Sequence, residues 1–502
     1  MSTDSTPMRI LFLSSDTGGG HRASAESLGA QFEKIFPGST YELLDIVKEH
    51  SSAPFNGLES WYQHLSSNPK QWNMVYKISN SPPVERIVKA HLKLTTERSV
   101  RKRILSHEPD VVISVHPLMN NVPVTSCAKI SSETGRHLPM FTVVTDLGSG
   151  HCTWFDNGVE KMFIGSARIK ELAMKRGKVP EDKIELSGLP IRHDFAMQAD
   201  FLGEEGRSSL QGNIHQLQTR KKLGIIADAE DETYRKVILV MGGGEGVGSL
   251  SSIVDALYIE LKSKNIVSTI VVICGRNIVL KESFEQRDWN NLMLSLETKD
   301  TDTNLPPKKK TGIISKFTTS SIEMLSKKGK QFLKDRSGSV DEIDEQCEEE
   351  KKQDGNDLAE IIPQQESQVK VEPLGFITNM AEYMVAADVL VTKAGPGTIA
   401  EAASVGLPVM LTSFLPGQEE GNVDFVLEKK FGEYRTDAEP NNVASGVSSW
   451  LQDPDLMVQM SNSARDAGNP NAARDIVRKI GTSVLRWKEH HPNLEIDAET
   501  NK

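Results

Sequence analysis

The sequence predicts an α/β protein with two Rossmann-like, doubly wound domains that face each other across a cleft. First, short apolar runs alternate with helical segments, as in parallel sheets covered on both faces. Second, this alternation occurs twice, over residues 8–198 and again over 233–465. Third, apolar runs end in glycine-rich turns at 18–20, 242–244 and 395–397, and a turn of this kind between a strand and a helix commonly binds phosphate.

Composition limits the possible functions. At 502 residues the chain can hold two or three domains with large cores, and its net charge of −11 does not suggest a nucleic-acid partner. Its cysteines, Cys127, Cys152, Cys274 and Cys347, lack CxxC spacing, so we expect a reducing compartment and neither a zinc site nor a disulfide framework. No apolar run reaches the roughly 18 residues of a membrane span, and no signal or transit peptide is visible.

The first predicted strand, 8–14, runs into the glycine turn 18–20, and apolar spacing then indicates a helix. The turn is followed at once by His21, whose imidazole can transfer protons near neutral pH. Taken alone, the turn with Ala23 also fits the dinucleotide pattern G-x-G-x-x-A, and Asp45 ends the next strand. An NAD-type oxidoreductase therefore stays open as an alternative.

Residues 50–104 combine aromatic side chains, among them Trp61 and Trp72, with a basic run that ends in Arg101, Lys102 and Arg103. Between positions 70 and 103 the sequence has nine Lys or Arg and two Glu, and such an excess of positive charge in an acidic protein predicts a surface that binds anionic lipid. The alternative is a solvated helical face over a hydrophobic core.

Three further strand ends of the first domain, 110–117, 141–146 and 161–166, are short apolar runs that lead into polar residues. The carboxyl ends of parallel strands line one crevice. We therefore expect His116, Asp146 and the loop 151–154 to converge on His21, although a lone His or Asp is often structural.

The stretch 187–192 marks the exit from the first domain, and the polar segment 199–232 is interpreted as a linker. Within the second domain, residues from about 295 to 368 are first basic and then acidic, which predicts a disordered insertion that leaves the sheet unaltered. The last helix, 466–488, carries apolar residues at helical spacing and is predicted to pack as core.

The stretch 389–403 indicates a buried strand, a Gly-Pro-Gly turn and the start of a helix. Backbone N–H groups at a helix start, together with Thr398, favour a phosphate. Glu401, one turn later, would lie near the ribose of a nucleotide, and the amide and carboxylate of Gln418 and Glu419 could bind the hydroxyls of a sugar. An ordinary strand–turn–helix crossover is the alternative.

Six motifs in this order resemble those of the plant and algal monogalactosyldiacylglycerol synthases: Ser15–Glu26, Ser114–Met119, Met241–Gly246, Cys274–Asn277, Lys393–Glu401 and Gly417–Asn422. The resemblance covers nearly all of residues 8–488 except the insertion. It implies an inverting GT-B glycosyltransferase of family 28 that transfers galactose from UDP-galactose to 1,2-diacylglycerol, without a catalytic metal or another cofactor. It also implies a peripheral membrane protein of the plastid envelope.

The resemblance implies roles for individual residues. His21 would be the base, and Asp16 or Asp146 could orient its ring or share its role. The donor residues would be Gly244, Glu245, Arg276, Asn277, Phe376, Ile377, Gly395, Pro396, Gly397, Thr398, Glu401, Gln418 and Glu419. The acceptor and membrane side would comprise Gly18, Gly19, Gly20, His116, Pro117, Trp154, Trp61, Trp72, Arg101, Lys102 and Arg103, with phosphatidic acid or phosphatidylglycerol as the anionic lipid.

Two positions depart from the plant pattern, with Asn120 in place of the usual Gln and Cys152 in place of the usual Pro. The related bacterial processive diacylglycerol glucosyltransferases differ in the first loop and in the phosphate turn. This difference favours galactose over glucose, and a diacylglycerol glucosyltransferase that uses UDP-glucose remains the alternative.

Overall fold

The structure is a computed structural model, and it describes residues 6–15, 20–50, 68–226, 235–242, 250–292 and 369–490. Both of its sheets belong to one compact unit. The predicted insertion at 295–368 lies outside the described residues. So do Asp16, Gly18, Gly19, Trp61, Gly244 and Glu245.

The first sheet has six parallel strands in the order β2-β1-β3-β4-β5-β6. Its central strands are buried along their whole length, which explains their unbroken apolar sequences. The strands β1 to β6 are Arg9–Leu13, Thr40–Leu44, Val111–Ser114, Met140–Val143, Lys161–Ile164 and Ile184–Leu186. The helices α1 to α6 are Gly20–Ile35, Ile46–His50, Pro69–Ser79, Pro82–Ser106, Asn121–Thr134 and Ala167–Lys175, with short 3-10 helices at Cys152–Trp154 and Glu181–Lys183.

The second sheet has six parallel strands in the order β12-β11-β10-β7-β8-β9. The strands β7 to β12 are Lys236–Met241, Ser268–Ile273, Val369–Leu374, Val389–Thr392, Val409–Leu411 and Gly432–Tyr434. The helices α7 to α11 are His193–Leu202, Leu210–Lys222, Leu250–Ser263, Ile278–Glu285 and Met380–Ala386. The helices α12 to α16 are Pro396–Ser404, Glu420–Glu428, Pro440–Leu451, Pro454–Ala467 and Ala472–His490. The predicted fold class, two doubly wound α/β domains, is confirmed.

The last helix, α16, follows the second domain in sequence but completes the core of the first. Its buried residues Ile476, Val477 and Ile480 belong to the same apolar cluster as Phe12 of β1 and Phe32 of α1. Helical spacing predicted an apolar face at the end of the chain, but not the sheet that covers it.

The described part of the predicted linker, 199–226, is packed structure rather than an extended connection. Arg207 is buried, and its guanidinium donates to the carbonyls of Ala387 and Val405, each at 2.6 Å. The guanidinium of Arg220, in α8, donates to the Ala386 carbonyl at 2.7 Å. The buried polar side chains of this segment, such as Arg207 and Arg220, satisfy backbone acceptors of the second domain, while others, such as Glu204 and Lys221, are exposed.

Candidate active site

His21, the second residue of α1, lies where three strands of the first sheet end. Its ring centroid is 4.7 Å from that of His116 and 5.9 Å from that of Trp154. Its Nδ1 lies 2.9 Å from the hydroxyl oxygen of Thr145, just beyond β4. Asp146 joins the group because its carboxylate accepts a hydrogen bond from Trp154 Nε1 at 2.7 Å. The predicted convergence of these residues is confirmed.

Both histidines are neutral at physiological pH. Burial lowers the pKa of His21 to about 4, and a backbone hydrogen bond with Val115 opposes part of this shift. Burial, and then the neighbouring His21, lowers the pKa of His116 well below its usual value. When Nδ1 of His21 donates to Thr145, its Nε2 carries a lone pair that can accept a proton.

Among the residues that the structure describes, the hydrogen-bond partners of the His21 ring are the Thr145 hydroxyl and the Val115 backbone, and not an aspartate. The prediction that Asp146 orients the ring does not match this geometry, because the carboxylate of Asp146 bonds to Trp154 instead. The polar residues at the end of the 141–146 run were the signal for Thr145. Sequence alone could not choose between two adjacent side chains.

Asp146 is buried, and its pKa is raised to about 7, chiefly by burial and to a smaller extent by the carboxylate of Glu419, against the lowering effect of the Trp154 hydrogen bond. In the unfolded chain the same carboxyl ionises near 3.8. Between these two values the folded protein holds more protons at this site than the unfolded chain. The contribution of Asp146 to stability is therefore fully present below about pH 4 and is lost as the pH rises towards 7.

We predict that Asp146→Asn removes this loss, because an amide does not ionise and its oxygen still accepts from Trp154. The melting temperature of the variant, relative to that of wild type, should increase as the pH rises from about 4 to 7. Thermal melts of both proteins across this range measure the difference, and the other titrating groups cancel in it. Parallel curves would contradict the raised pKa of Asp146.

The two domains meet directly beside Asp146. The backbones of Gly148 and Gly421 approach so closely that a Cβ atom on either glycine would overlap the backbone of the other. The Leu147 amide donates to Asn422 Oδ1 at 3.1 Å, and Asn422 Nδ2 donates to the Ala394 carbonyl at 3.0 Å. The buried Asn422 therefore connects the His21 region of the first domain to the turn that begins α12.

That turn has the predicted structure. β10 ends at Thr392, the Gly395 backbone is buried, and α12 begins at Pro396, whose fixed φ suits the first helical position. Among the residues that the structure describes, no atom lies within 4 Å of a Cβ placed on the exposed Gly397. The half-buried Thr398 follows in the first turn of the helix, so the geometry leaves room for an anion at the helix N-terminus.

Glu401, in the next turn of α12, is held by Arg192 from just before α7. The guanidinium donates through Nε and Nη2 to the two carboxylate oxygens of Glu401, each at 2.8 Å. This planar two-bond contact fixes the orientation of the carboxylate. Arg192 was not predicted as a site residue, although it ends the 187–192 stretch that marked the domain exit.

Glu419 is buried, and both its oxygens have protein partners: Lys393 Nζ donates to it at 2.8 Å and the Leu415 amide at 2.9 Å. The carboxylate therefore shapes the turn that carries the half-buried Gln418. A role of either side chain in binding a sugar stays a prediction.

Arg276 lies over the ring of Phe376, with 5.9 Å from the guanidinium carbon to the ring centroid, and Phe376 is 68% exposed. These residues follow the adjacent strands β8 and β9, so the structure brings them together. Asn277 Oδ1 instead accepts from the Leu280 amide at 3.0 Å and caps α10, while Ile377 packs against the core of the second domain.

On the acceptor side, both departures from the plant pattern have structural roles. The amide of Asn120 donates to the carbonyls of His116 at 3.0 Å and Thr153 at 3.2 Å, which joins the two loops beside His21. The Cys152 amide donates to Asn80 Oδ1 at 2.9 Å, a bond that proline cannot make. Pro117 and Trp72 are half-buried.

Within the part of the chain that the structure describes, no group of three or more His, Cys, Asp or Glu side chains is placed to hold a metal ion. The expectation that the reaction needs no catalytic metal stays a prediction.

The chain matches two family models, "Monogalactosyldiacylglycerol (MGDG) synthase" over residues 21–191 and "Glycosyltransferase family 28 C-terminal domain" over residues 323–478. It is 30% identical to the chloroplastic monogalactosyldiacylglycerol synthase of Spinacia oleracea over 487 residues, which cover 95% of this chain and 73% of that protein. It is 29% identical to the chloroplastic monogalactosyldiacylglycerol synthase 3 of Arabidopsis thaliana, over 94% of this chain and 80% of that protein. Among solved structures, MurG of Acinetobacter baumannii shares the fold, with a TM-score of 0.51, 12% identity and coverage of 95% of this chain and 100% of that one.

Proposed function

The chain belongs to the monogalactosyldiacylglycerol synthase family, and we propose that it transfers galactose from UDP-galactose to 1,2-diacylglycerol, with inversion at the anomeric carbon. The observation that carries the proposal is the connection between the two halves of the site. A neutral histidine at the carboxyl end of the first sheet is joined, through Leu147, Asn422 and Ala394, to a phosphate-type turn on the second domain.

In the proposed reaction, the free hydroxyl oxygen of diacylglycerol attacks C1 of galactose while the bond from C1 to the diphosphate oxygen breaks. The hydroxyl proton passes to His21, and the electron pair leaves with UDP. The N-terminus of α12 stabilises the negative charge on the departing diphosphate. Attack from the side opposite the leaving group inverts the anomeric centre, so the product is β-linked.

Purified protein with labelled UDP-galactose or UDP-glucose and diacylglycerol vesicles tests this assignment. We expect labelled galactolipid from UDP-galactose, with no loss of activity in a metal chelator. A lipid product formed mainly from UDP-glucose would indicate a diacylglycerol glucosyltransferase instead. Thermal protection by NAD(H), without protection by UDP-galactose, would favour the oxidoreductase alternative.

We propose that the exposed face of α4 binds an anionic lipid surface, which would place the protein at the periphery of a membrane such as the plastid envelope. Among the described residues, no helix is both long and apolar enough to cross a bilayer. On α4, Ile87 and Leu94 are 69% and 86% exposed. The exposed cation Arg98 lies on the same side of the helix as these two side chains, and the exposed cations Arg86 and Lys93 lie roughly 100–120° around the helix axis from them.

The basic run 101–103 is less available for binding lipid than the sequence suggested, because both of its arginines form ion pairs within the protein. Arg101 pairs with the buried Glu97 at 3.3 Å and also with Glu133, and Arg103 pairs with Glu49 at 3.0 Å. Lys102 is exposed. Substitution of the arginines would therefore disturb packing as well as surface charge.

We predict that Arg86→Ser, Lys93→Ser and Arg98→Ser together weaken binding to vesicles that contain phosphatidic acid or phosphatidylglycerol. Each cation near an anionic surface contributes about 1 kcal/mol, so three should lower the partition coefficient by about two orders of magnitude at low salt. Co-sedimentation measures the change, and raised salt should reproduce it in wild type.

A matched control removes the same charge elsewhere, with the exposed residues Arg168, Lys429 and Arg478 changed to Ser. This variant should sediment almost as well as wild type. Equal losses in the two triple variants would mean that net charge, and not the face of α4, determines lipid binding.

A further inference from the structure

Tyr76 lies where three segments of the site meet, although it is far from them in sequence. It is buried in α3, near the end of that helix. Its ring packs on the backbone of Gly417, where an added Cβ atom would lie 2.7 Å from Tyr76 Cδ1. Its hydroxyl donates to the Ser149 carbonyl at 2.8 Å. A helix of the first domain thus contacts the turn of the second domain that carries Gln418 and Glu419.

The end of α3 is fixed to the loop beside His21. Ser79 Oγ lies 3.1 Å from His151 Nε2, and Asn80 Oδ1 accepts from the Cys152 amide at 2.9 Å. Ser149, which accepts from Tyr76 through its carbonyl, also accepts from the Gly421 amide through its hydroxyl at 2.8 Å. Hydrogen bonds to the loop 149–152 therefore hold the end of α3 that carries Tyr76, and the same loop is bonded to Gly421 of the second domain.

Gly417 needs this support more than an ordinary turn residue does. It has a φ of +82°, a conformation that only glycine adopts without strain, and glycine gains the most freedom when its contacts are lost. Its neighbour Gln418 is half-buried, and the buried Glu419 is already held by Lys393 and Leu415. The Tyr76 ring contacts Gly417 at the start of the turn, whereas the bonds from Lys393 and Leu415 hold Glu419 at its end.

We propose that Tyr76 is a positioning residue for sugar recognition, which holds the turn 417–419 in the conformation that binds the galactose of the donor. The inference rests on the proposed function, because it takes that turn to be the galactose site. It follows that the sugar-dependent part of the donor affinity depends on α3 of the first domain. The nucleotide-dependent part belongs to the second domain alone.

Isothermal titration of the full chain with UDP and with UDP-galactose, without lipid, separates the two parts. For Tyr76→Ala we expect the Kd for UDP-galactose to rise about tenfold, with the Kd for UDP changed less than about twofold. Tyr76→Phe keeps the ring on Gly417 and should restore most of the affinity. Met74→Ala, on the same helix but 61% exposed, is the matched control and should bind both ligands as wild type does.

The outcomes separate this inference from the proposed function. Wild type that binds UDP-galactose no more tightly than UDP, and forms no galactolipid, would contradict the proposed function itself. Wild type that binds and transfers galactose, with a Tyr76→Ala protein of unchanged UDP-galactose affinity, would overturn only the role of Tyr76. Equal weakening of UDP and UDP-galactose binding would also overturn it, since that pattern indicates a general structural defect.

Discussion

Replacement of His21 by alanine should lower the turnover of galactose transfer by about 10²–10⁴-fold, the usual contribution of a positioned base. The hydroxyl of diacylglycerol is a poor nucleophile at neutral pH and must lose its proton as it attacks. His21 is neutral, lies in the first turn of α1 and is hydrogen-bonded to Thr145. Steady-state kinetics with saturating UDP-galactose and diacylglycerol vesicles measure the effect.

UDP binding is the internal control for this variant, because the nucleotide contacts are predicted on the second domain. The Kd for UDP should change little in His21→Ala, whereas Thr398→Ala or Gln418→Ala should weaken donor binding with a smaller loss of turnover. Because the pKa of His21 in the free protein is about 4, the acid limb of the kcat/KM profile should lie near that value rather than near 6.5. Near wild-type turnover in His21→Ala would pass the role of base to Asp146 or Asp16.

Replacement of Gly421 by valine should lower kcat/KM by about 10²-fold or more, because it forces the two domains apart where they carry the reacting groups. The Gly148 backbone occupies the space that a side chain at position 421 would need, so the two backbone segments must separate. Separation would break the Leu147 to Asn422 hydrogen bond and move His21 away from the donor. The assay is glycolipid synthesis at low substrate concentration.

The graded control is Ser149→Ala, which removes the 2.8 Å hydrogen bond to the Gly421 amide without adding any atoms. We expect a loss below about tenfold for this change, the scale of one neutral hydrogen bond. The folded state of Gly421→Val is checked by thermal melting and by UDP binding, both of which should survive. A well-folded Gly421→Val protein of normal activity would show that the domain contact is not needed for transfer.

Local sequence patterns determined the two sheets and the turn before α12. The strand, the Gly-Pro-Gly turn and the helix predicted over 389–403 appear as β10 and α12, because buried parallel strands and helix starts have local signatures. The rule that parallel strands end at one edge also placed His116, Asp146 and Trp154 beside His21. Each of these predictions needed only the period of the apolar residues and the order of the strands.

Contacts between segments far apart in the sequence were decided by the tertiary structure alone. Thr145 as the partner of His21, Arg192 on Glu401 and Tyr76 on Gly417 join residues 124 or more positions apart in every case, and no periodicity encodes such pairs. The same holds for α16, whose apolar face was predictable but whose place on the first sheet was not. An isolated polar side chain has many possible partners, and only the packing of both domains selects one. The amino-acid sequence therefore determined which helices and strands form and that the candidate site lies at the carboxyl ends of the strands. The tertiary structure decided which side chains in the site contact each other.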